Sequence, residues 1–258
     1  MAQGTIRVGT AGFSYKDWLG NFYPQFCPPA DFLRYYGLKF NTVELDSTFY
    51  RIPTESMVDK WAAIAPAGFK FAAKFPRTVT HEGELRDRLA DTERFVALMQ
   101  RFGDRLGPLL LQFPHSFGPE EFDTLKALAA AIPNGTQVAV ELRHRAWFDE
   151  TLYTWLRRSG LALCLIDYPG IPRLSERTAD WSYVRLVGNR QEITEDFSFV
   201  RRDRAPELDW WGDLMAKFAG EAVDVYAYFN NHYSGHAPST ACRLLDVLKE
   251  KTRPSQAE

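Results

Sequence analysis

The chain has 258 residues, 25% of them charged and 45% hydrophobic, with a formal net charge of −2. That length can bury a large core within one domain, and so small a charge excludes a global pull toward nucleic acid or an anionic membrane. No run approaches the ~20 apolar residues of a membrane span, the first residues carry no leader pattern, and Cys27, Cys164 and Cys242 lie too far apart for a disulfide framework or cysteine zinc site, so a cytoplasmic location is expected.

The first strand is Ile6–Phe13, interrupted by Gly9 and Gly12, where another group is expected to approach the backbone. An aromatic loop, Ser14–Pro29, leads to a short helix at Asp31–Tyr36 that Gly37 ends. Thr42–Phe49 reads as the second strand, with Glu44 and Asp46 opposite Val43 and Leu45. Thr54 caps a helix over Glu55–Ala65, and Lys70–Pro76 is the third strand. Arg77–Glu84 is expected as loop, and apolar residues from Leu85 to Phe102 follow helical spacing in two pieces. Leu109–Pro114 is the fourth strand, with Gln112 its polar member. A helix opens at Pro119 and reaches Ala131, and Gln137–Arg143 is the fifth strand, with Glu141 and Arg143 opposite Val140 and Leu142.

Phe148–Ser159 reads as helix, ended by Gly160, and Leu161–Tyr168 as a nearly continuous apolar strand ending in Asp167. Pro169–Asp180 shows no helical pattern. Trp181–Gly188 is the seventh strand, with Tyr183 and Arg185 on its polar face. A polar loop carrying Arg190, Arg201, Arg202 and Arg204 precedes a helix from Pro206 to about Gly220. The last strand, Asp224–Asn231, places Asn230 with Tyr226 and Tyr228, and a final helix covers Pro238–Lys251.

Strands alternating with helices imply a parallel sheet. Eight units in this length predict a closed (β/α)8 TIM-barrel-like fold, one domain over residues 1–258 with an irregular sixth crossover and residues 252–258 as a frayed tail. An open doubly wound sheet is the alternative. Connections before strands are short and those after strands one, three and seven are long, and active sites of such barrels lie at the end after the strands. If apolar strand faces pack on helices, then Glu44, Asp46, Lys74, Gln112, Glu141, Arg143, Arg185 and Asn230 point inward, and Asp167 joins them. Such a set is either an ion-pair plug or a working pocket, because buried charges are costly even when paired.

The motifs VGTAGFSYKDW, FNTVELDSTFYRIP, FKFAAKFPRTVTH, LGPLLLQFP, VAVELRHRAWF, YVRLVGN and VYAYFNNHYSGHA together resemble the YecE-like family, the domain of unknown function 72. The resemblance covers nearly the whole chain. It implies a TIM barrel related to xylose-isomerase-like barrels and implies no activity. Glu44, Lys74, Gln112, Glu141, Arg143, Arg185 and Asn230 stand within its motifs, and Asp46 replaces an Asn common there.

The residues favour an enzyme of lyase, isomerase or hydrolase type that needs no cofactor and takes a small anionic molecule, such as a sugar acid or sugar phosphate. Arg143 and Arg185 would hold the anion, with Asp46, Gln112 and Asn230 also binding substrate. Glu44 and Glu141 would divide acid and base roles, and Lys74 would act as electrostatic stabiliser or nucleophile. In a second reading, Glu44, Asp46, Glu141 and Asp167 hold Mg or Mn. No inward His supports that reading, and His81, His115, His144, His232 and His236 are expected as loop hydrogen-bonders, so no bound metal is expected. In a third, less favoured reading, the arginine-rich loop tracks nucleic-acid phosphates while Trp18, Tyr23 and Trp147 stack bases.

Overall fold

Alternating apolar residues build eight short strands, and their greasy outer faces require helices to cover them. The computed structural model describes residues 3–252. The strands are β1 (Ile6–Thr10), β2 (Thr42–Leu45), β3 (Lys70–Lys74), β4 (Leu106–Gln112), β5 (Val138–Glu141), β6 (Ala162–Asp167), β7 (Trp181–Leu186) and β8 (Asp224–Phe229). All neighbouring pairs are parallel, in the order β1-β8-β7-β6-β5-β4-β3-β2. The sheet is a TIM barrel rather than an open doubly wound sheet. Its seam lies between β1 and β2, bridged at Ala11 and Glu44, with Gly12 N–H donating to Glu44 O at 2.7 Å.

Tyr36, from helix α1 (Phe32–Tyr36), stitches the rest of that seam. Its hydroxyl accepts from Thr10 N–H at 2.9 Å and donates to Thr42 O at 3.0 Å. Gly9 must stay bare here, since an added Cβ would sit 2.2 Å from Thr42 O. This is the close approach that the glycine suggested.

The remaining helices are α2 (Glu55–Ile64), α3 (Arg77–Thr80), α4 (Leu85–Met99), α5 (Phe122–Ala130), α6 (Glu150–Ser159), α7 (Ala205–Gly220), α8 (Asn231–Ser234) and α9 (Ala237–Lys251). No helix lies between β6 and β7. Instead Thr178 pins that crossover to the start of β6, accepting from Leu163 N–H at 2.7 Å and donating to Leu161 O at 2.8 Å. Among the described residues no helix is long and apolar enough to cross a membrane.

Outward residues such as Val43, Phe71, Leu109 and Val184 join the main core under the helices, whereas Leu110, Cys164, Ile166, Tyr183 and Tyr228 fill the barrel interior. Several boundaries differ from those read in the sequence. The second strand stops at Leu45, and Asp46–Phe49 turns into a single 3-10 turn. Thr48 causes this: its hydroxyl is 2.6 Å from both Leu45 O and Lys74 O, a side-chain bond that competes with strand pairing. The first strand ends at Thr10 and the last at Phe229, where Asn230 caps α8. The expected loop Arg77–Glu84 begins with the one-turn helix α3. The fourth strand starts three residues early, at Leu106, because the β3–β4 register slips at Gly107–Pro108 and absorbs the missing proline N–H. Helix α6 starts after Asp149, whose carboxylate accepts from Leu152 N–H at 2.9 Å. The expected tail falls almost wholly outside the described residues.

Candidate active site at the barrel mouth

Residues at the last inward position of a barrel strand face the mouth, so β2, β3, β5 and β7 deliver Glu44, Lys74, Glu141 and Arg185 to one place. Arg185 is its hub. Its Nε and Nη2 donate to the two oxygens of Glu44 at 2.9 and 2.7 Å, and Nη1 donates to Glu141 Oε2 at 2.5 Å. Tyr183 hydroxyl donates to Glu44 Oε2 at 2.7 Å, and Arg143 reaches Glu141 Oε1 with Nε and Nη2, both at 2.7 Å. Glu44 and Glu141 are fully buried, and Arg185 is 2% exposed. Three carboxylates (Glu44, Asp46, Glu141) thus face three cations (Lys74, Arg143, Arg185), and the inner cluster is neutral.

The electrostatic state of each group follows from this wiring. Burial pushes Glu141 up, but the Arg185 and Arg143 guanidiniums outweigh it and hold the carboxyl at about 2. Burial also pushes Glu44 upward, against the opposing pull of Arg185. Asp46 is held below the usual range, since Lys74, Arg185 and Arg190 together outweigh its burial. Its Oδ1 is buried and accepts no hydrogen bond among the described residues, with Arg185 Nη2 at 3.6 Å and Lys74 Nζ at 3.7 Å.

Lys74 differs from its neighbours. Its amine lies 3.6 Å over the Phe49 ring and makes no hydrogen bond among the described residues. Burial draws its pKa down to about 8, only partly opposed by Asp46. His81, beside Phe49, is likewise lowered to about 4, by burial and then by the Lys74 and Arg143 charges.

Six of the expected residues therefore meet in one network. Two do not join it: Gln112, beside Glu141 in the sheet register, donates to Phe113 O at 2.5 Å, and Asn230 accepts from His232 N–H at 3.1 Å as a helix cap. Asp167 is a correction. Its neighbour Ile166 points into the barrel, so Asp167 points out, to Trp211 Nε1 at 3.0 Å, Tyr233 hydroxyl at 3.2 Å and Arg173 at 3.0 Å. The anion-holding role expected of Arg185 also meets an obstacle, because each of its three nitrogens already donates to Glu44 or Glu141 and the side chain is 2% exposed.

Strand parity did not single out several loop residues at the mouth. Tyr168 lies under Arg143 at 4.5 Å, and His115 links Arg143 O (2.9 Å) to Tyr168 hydroxyl (3.3 Å). Arg190 is exposed and its charge acts on Tyr15, Asp46 and His232. The arginine-rich loop after β7 hinted at Arg190, and His115 is the loop hydrogen-bonder expected of it.

A divalent ion does not fit this wiring. Arg185 already occupies the space between Glu44 and Glu141, and among the described residues no three His, Cys, Asp or Glu side chains form a metal-holding group. The parts of a base-stacking surface are also dispersed: Trp18, Tyr23 and Trp147 are buried, and Arg201 and Arg202 pair with Asp196 and Glu192.

A family model described as "Protein of unknown function DUF72" matches residues 7–258. The chain belongs to the DUF72 family. It is 31% identical to the UPF0759 protein YecE of Escherichia coli K12 over 140 residues, a match spanning 52%, about half, of each chain. The crystal structure of a DUF72 family protein from Thermotoga maritima is similar with a TM-score of 0.80 and 28% identity, covering 95% of this chain and 99% of that one. A xylose isomerase-like TIM barrel protein from Mycobacterium smegmatis in complex with magnesium shares the fold, at TM-score 0.52 and 14% identity over 98% of each chain.

Proposed function

We propose that this DUF72 barrel is an enzyme that acts by general acid/base chemistry on a small, polar, anionic molecule at its C-terminal mouth. The observation that carries the reading is Lys74: a 4% exposed amine without a hydrogen bond, drawn down to about 8, next to the unbonded Asp46 Oδ1. An amine titrating near working pH can take and return protons, and in its neutral form it can add to a carbonyl.

The carboxylates have a different part. Glu141 at about 2 is too weak a base for proton transfer near neutrality, and Glu44 is sealed beneath Arg185 and Tyr183. Both serve best as the rigid frame that holds the guanidiniums and fixes the field at Lys74. Asp46 is the carboxylate nearest the amine, at 3.7 Å, and steadies its charged form without a hydrogen bond. An incoming anion would be met by exposed Arg190 and by Arg143 Nη1, which no carboxylate engages among the described residues.

Competitive labelling with acetic anhydride across pH tests this reading. Peptide mass spectrometry should show Lys74 titrating near pH 8, about two units below the ordinary lysine value of ~10.4. Glucose 6-phosphate or gluconate should slow labelling at Lys74, with chloride at matched ionic strength as control. A Lys74 that titrates with the surface lysines, or that neither anion protects, would sink the proposal.

A further inference from the structure

Beside the charged cluster, on the β1–β2 side of the mouth, lies a cavity of about 410 Å³ whose wall includes Ser14, Tyr15, Asp46, Ser47, Tyr50 and Trp61. Its size falls within the range of small-molecule sites. A smaller hollow of about 200 Å³ shares Ser47 and Trp61 with it. The aromatic walls are held in place. Phe13 meets Trp61 edge-on, with ring centroids 6.2 Å apart at 89°, while Tyr15 packs on Trp18 at 4.7 Å and donates its hydroxyl to Ala11 O at 3.0 Å. Tyr50 stands at the rim, 65% exposed.

The polar groups of this wall are short and uncommitted. Ser14 and Ser47 hydroxyls and the Trp61 indole N–H make no hydrogen bond among the described residues. The charged group in the wall is Asp46, already faced by Lys74 at 3.7 Å and Arg185 at 3.6 Å. No guanidinium or amine lines the cavity, so it has nothing to recognise an anion. It is also a poor cation cage, because its carboxylate is compensated. What fits aromatic faces, hydroxyls and a carboxylate oxygen wanting a donor is a neutral ring carrying several hydroxyl groups.

We propose that this cavity is a subsite for the neutral, hydroxylated sugar ring of a substrate whose anionic or carbonyl end lies against Lys74. The ring would stack on Trp61 or Tyr50, and one hydroxyl would donate to the Asp46 carboxylate, which lines the cavity and faces the Lys74 amine at 3.7 Å. The substrate would then be bipartite, uncharged over the β1–β2 seam and charged or carbonyl-bearing toward Arg143. This rests on the assignment of Lys74 as the working group, but the cavity can be tested without it.

The probes are the methyl glycosides of glucose, galactose and xylose, which carry neither charge nor free carbonyl. Saturation-transfer NMR on the full chain should detect at least one of them. Trp61→Ala and Tyr50→Ala should each weaken that probe about tenfold, as loss of a stacking face implies. Tyr50 is exposed, so its variant keeps the test sound if Trp61→Ala fails to fold. Binding of none of the three glycosides, binding of choline in their place, or binding that both aromatic variants retain would overturn the subsite. Glycoside binding combined with an ordinary titration of Lys74 would leave the subsite standing and remove the catalytic reading instead.

Discussion

Arg185→Met is the most telling perturbation of this barrel. The guanidinium makes three close hydrogen bonds to two fully buried carboxylates, so its loss strands both. Glu141 retains Arg143, and Glu44 retains only the Tyr183 hydroxyl. Removing one partner of a buried ion pair costs about 3–5 kcal/mol, a large part of the ~5–15 kcal/mol that holds a domain together. The loss should depend on pH in a defined direction. Burial already raises Glu44, and without the guanidinium its carboxyl rises further. A carboxyl raised in the folded state favours folding when protonated. The variant therefore loses stability as pH rises above the ordinary carboxylate value, by up to about 1.4 kcal/mol per unit until the folded pKa is reached. Urea melts of parent and variant at pH 5 and pH 7 measure this. The penalty should be ~2 kcal/mol larger at pH 7, and Glu44→Gln in the Arg185→Met background should remove most of that pH dependence. An equal penalty at both pH values, or one below ~1 kcal/mol, would refute the account of Arg185 as the hub.

Three further outcomes are expected. Glu141→Gln should cost ~3 kcal/mol at pH 7: Glu141 is depressed from 4.5 to about 2, so its contribution is present above 4.5 and lost as pH falls toward 2, where urea melts of variant and parent should converge. A loss of that size would also show Glu141 to be framework rather than a working acid or base. Lys74→Met should leave stability at pH 7 within ~1 kcal/mol of the parent or raise it, because an amine lowered from 10.5 to about 8 burdens the folded state below pH 8; any gain in the variant's melts should fade between those values. Gly9→Ala should lower stability by ~2 kcal/mol or more in denaturant melts, since the new methyl meets Thr42 O, a backbone atom that cannot swing aside.

The barrel was legible in the sequence because strand alternation survives in a closed sheet: one face meets helices, the other a small, crowded interior. Reading failed where a side chain overrode the pattern. Thr42–Phe49 alternates well enough to look like one strand, yet the Thr48 hydroxyl captures Leu45 O and Lys74 O and coils the segment after four residues. Gly107 and Pro108 lay outside the expected Leu109–Pro114 strand, and the register slip opposite β3 makes room for them within β4. Asp167 was misplaced because an apolar run offers no polar residue to fix its parity; a one-residue change sends the side chain to the other face.

Parity could bring the charges to one mouth, but not say which would cancel. The expected set held four acids and three cations, as plug or as pocket, and three-dimensional wiring decides which of them pair. Arg185 saturates two carboxylates because its planar fork meets Glu44 with two donors and still has a third for Glu141. A lysine has no such fork. The Lys74 amine sits over Phe49 with its nearest carboxylate oxygen at 3.7 Å, beyond hydrogen-bond reach. The same low-dielectric enclosure that strengthens the Arg185 pairs weakens the hold on the Lys74 proton. The ion-pair plug and the pocket proposed above then share one arrangement: the Arg185 and Arg143 guanidiniums neutralise Glu44 and Glu141, and that neutral frame leaves the Lys74 amine without a hydrogen-bonded partner among the described residues.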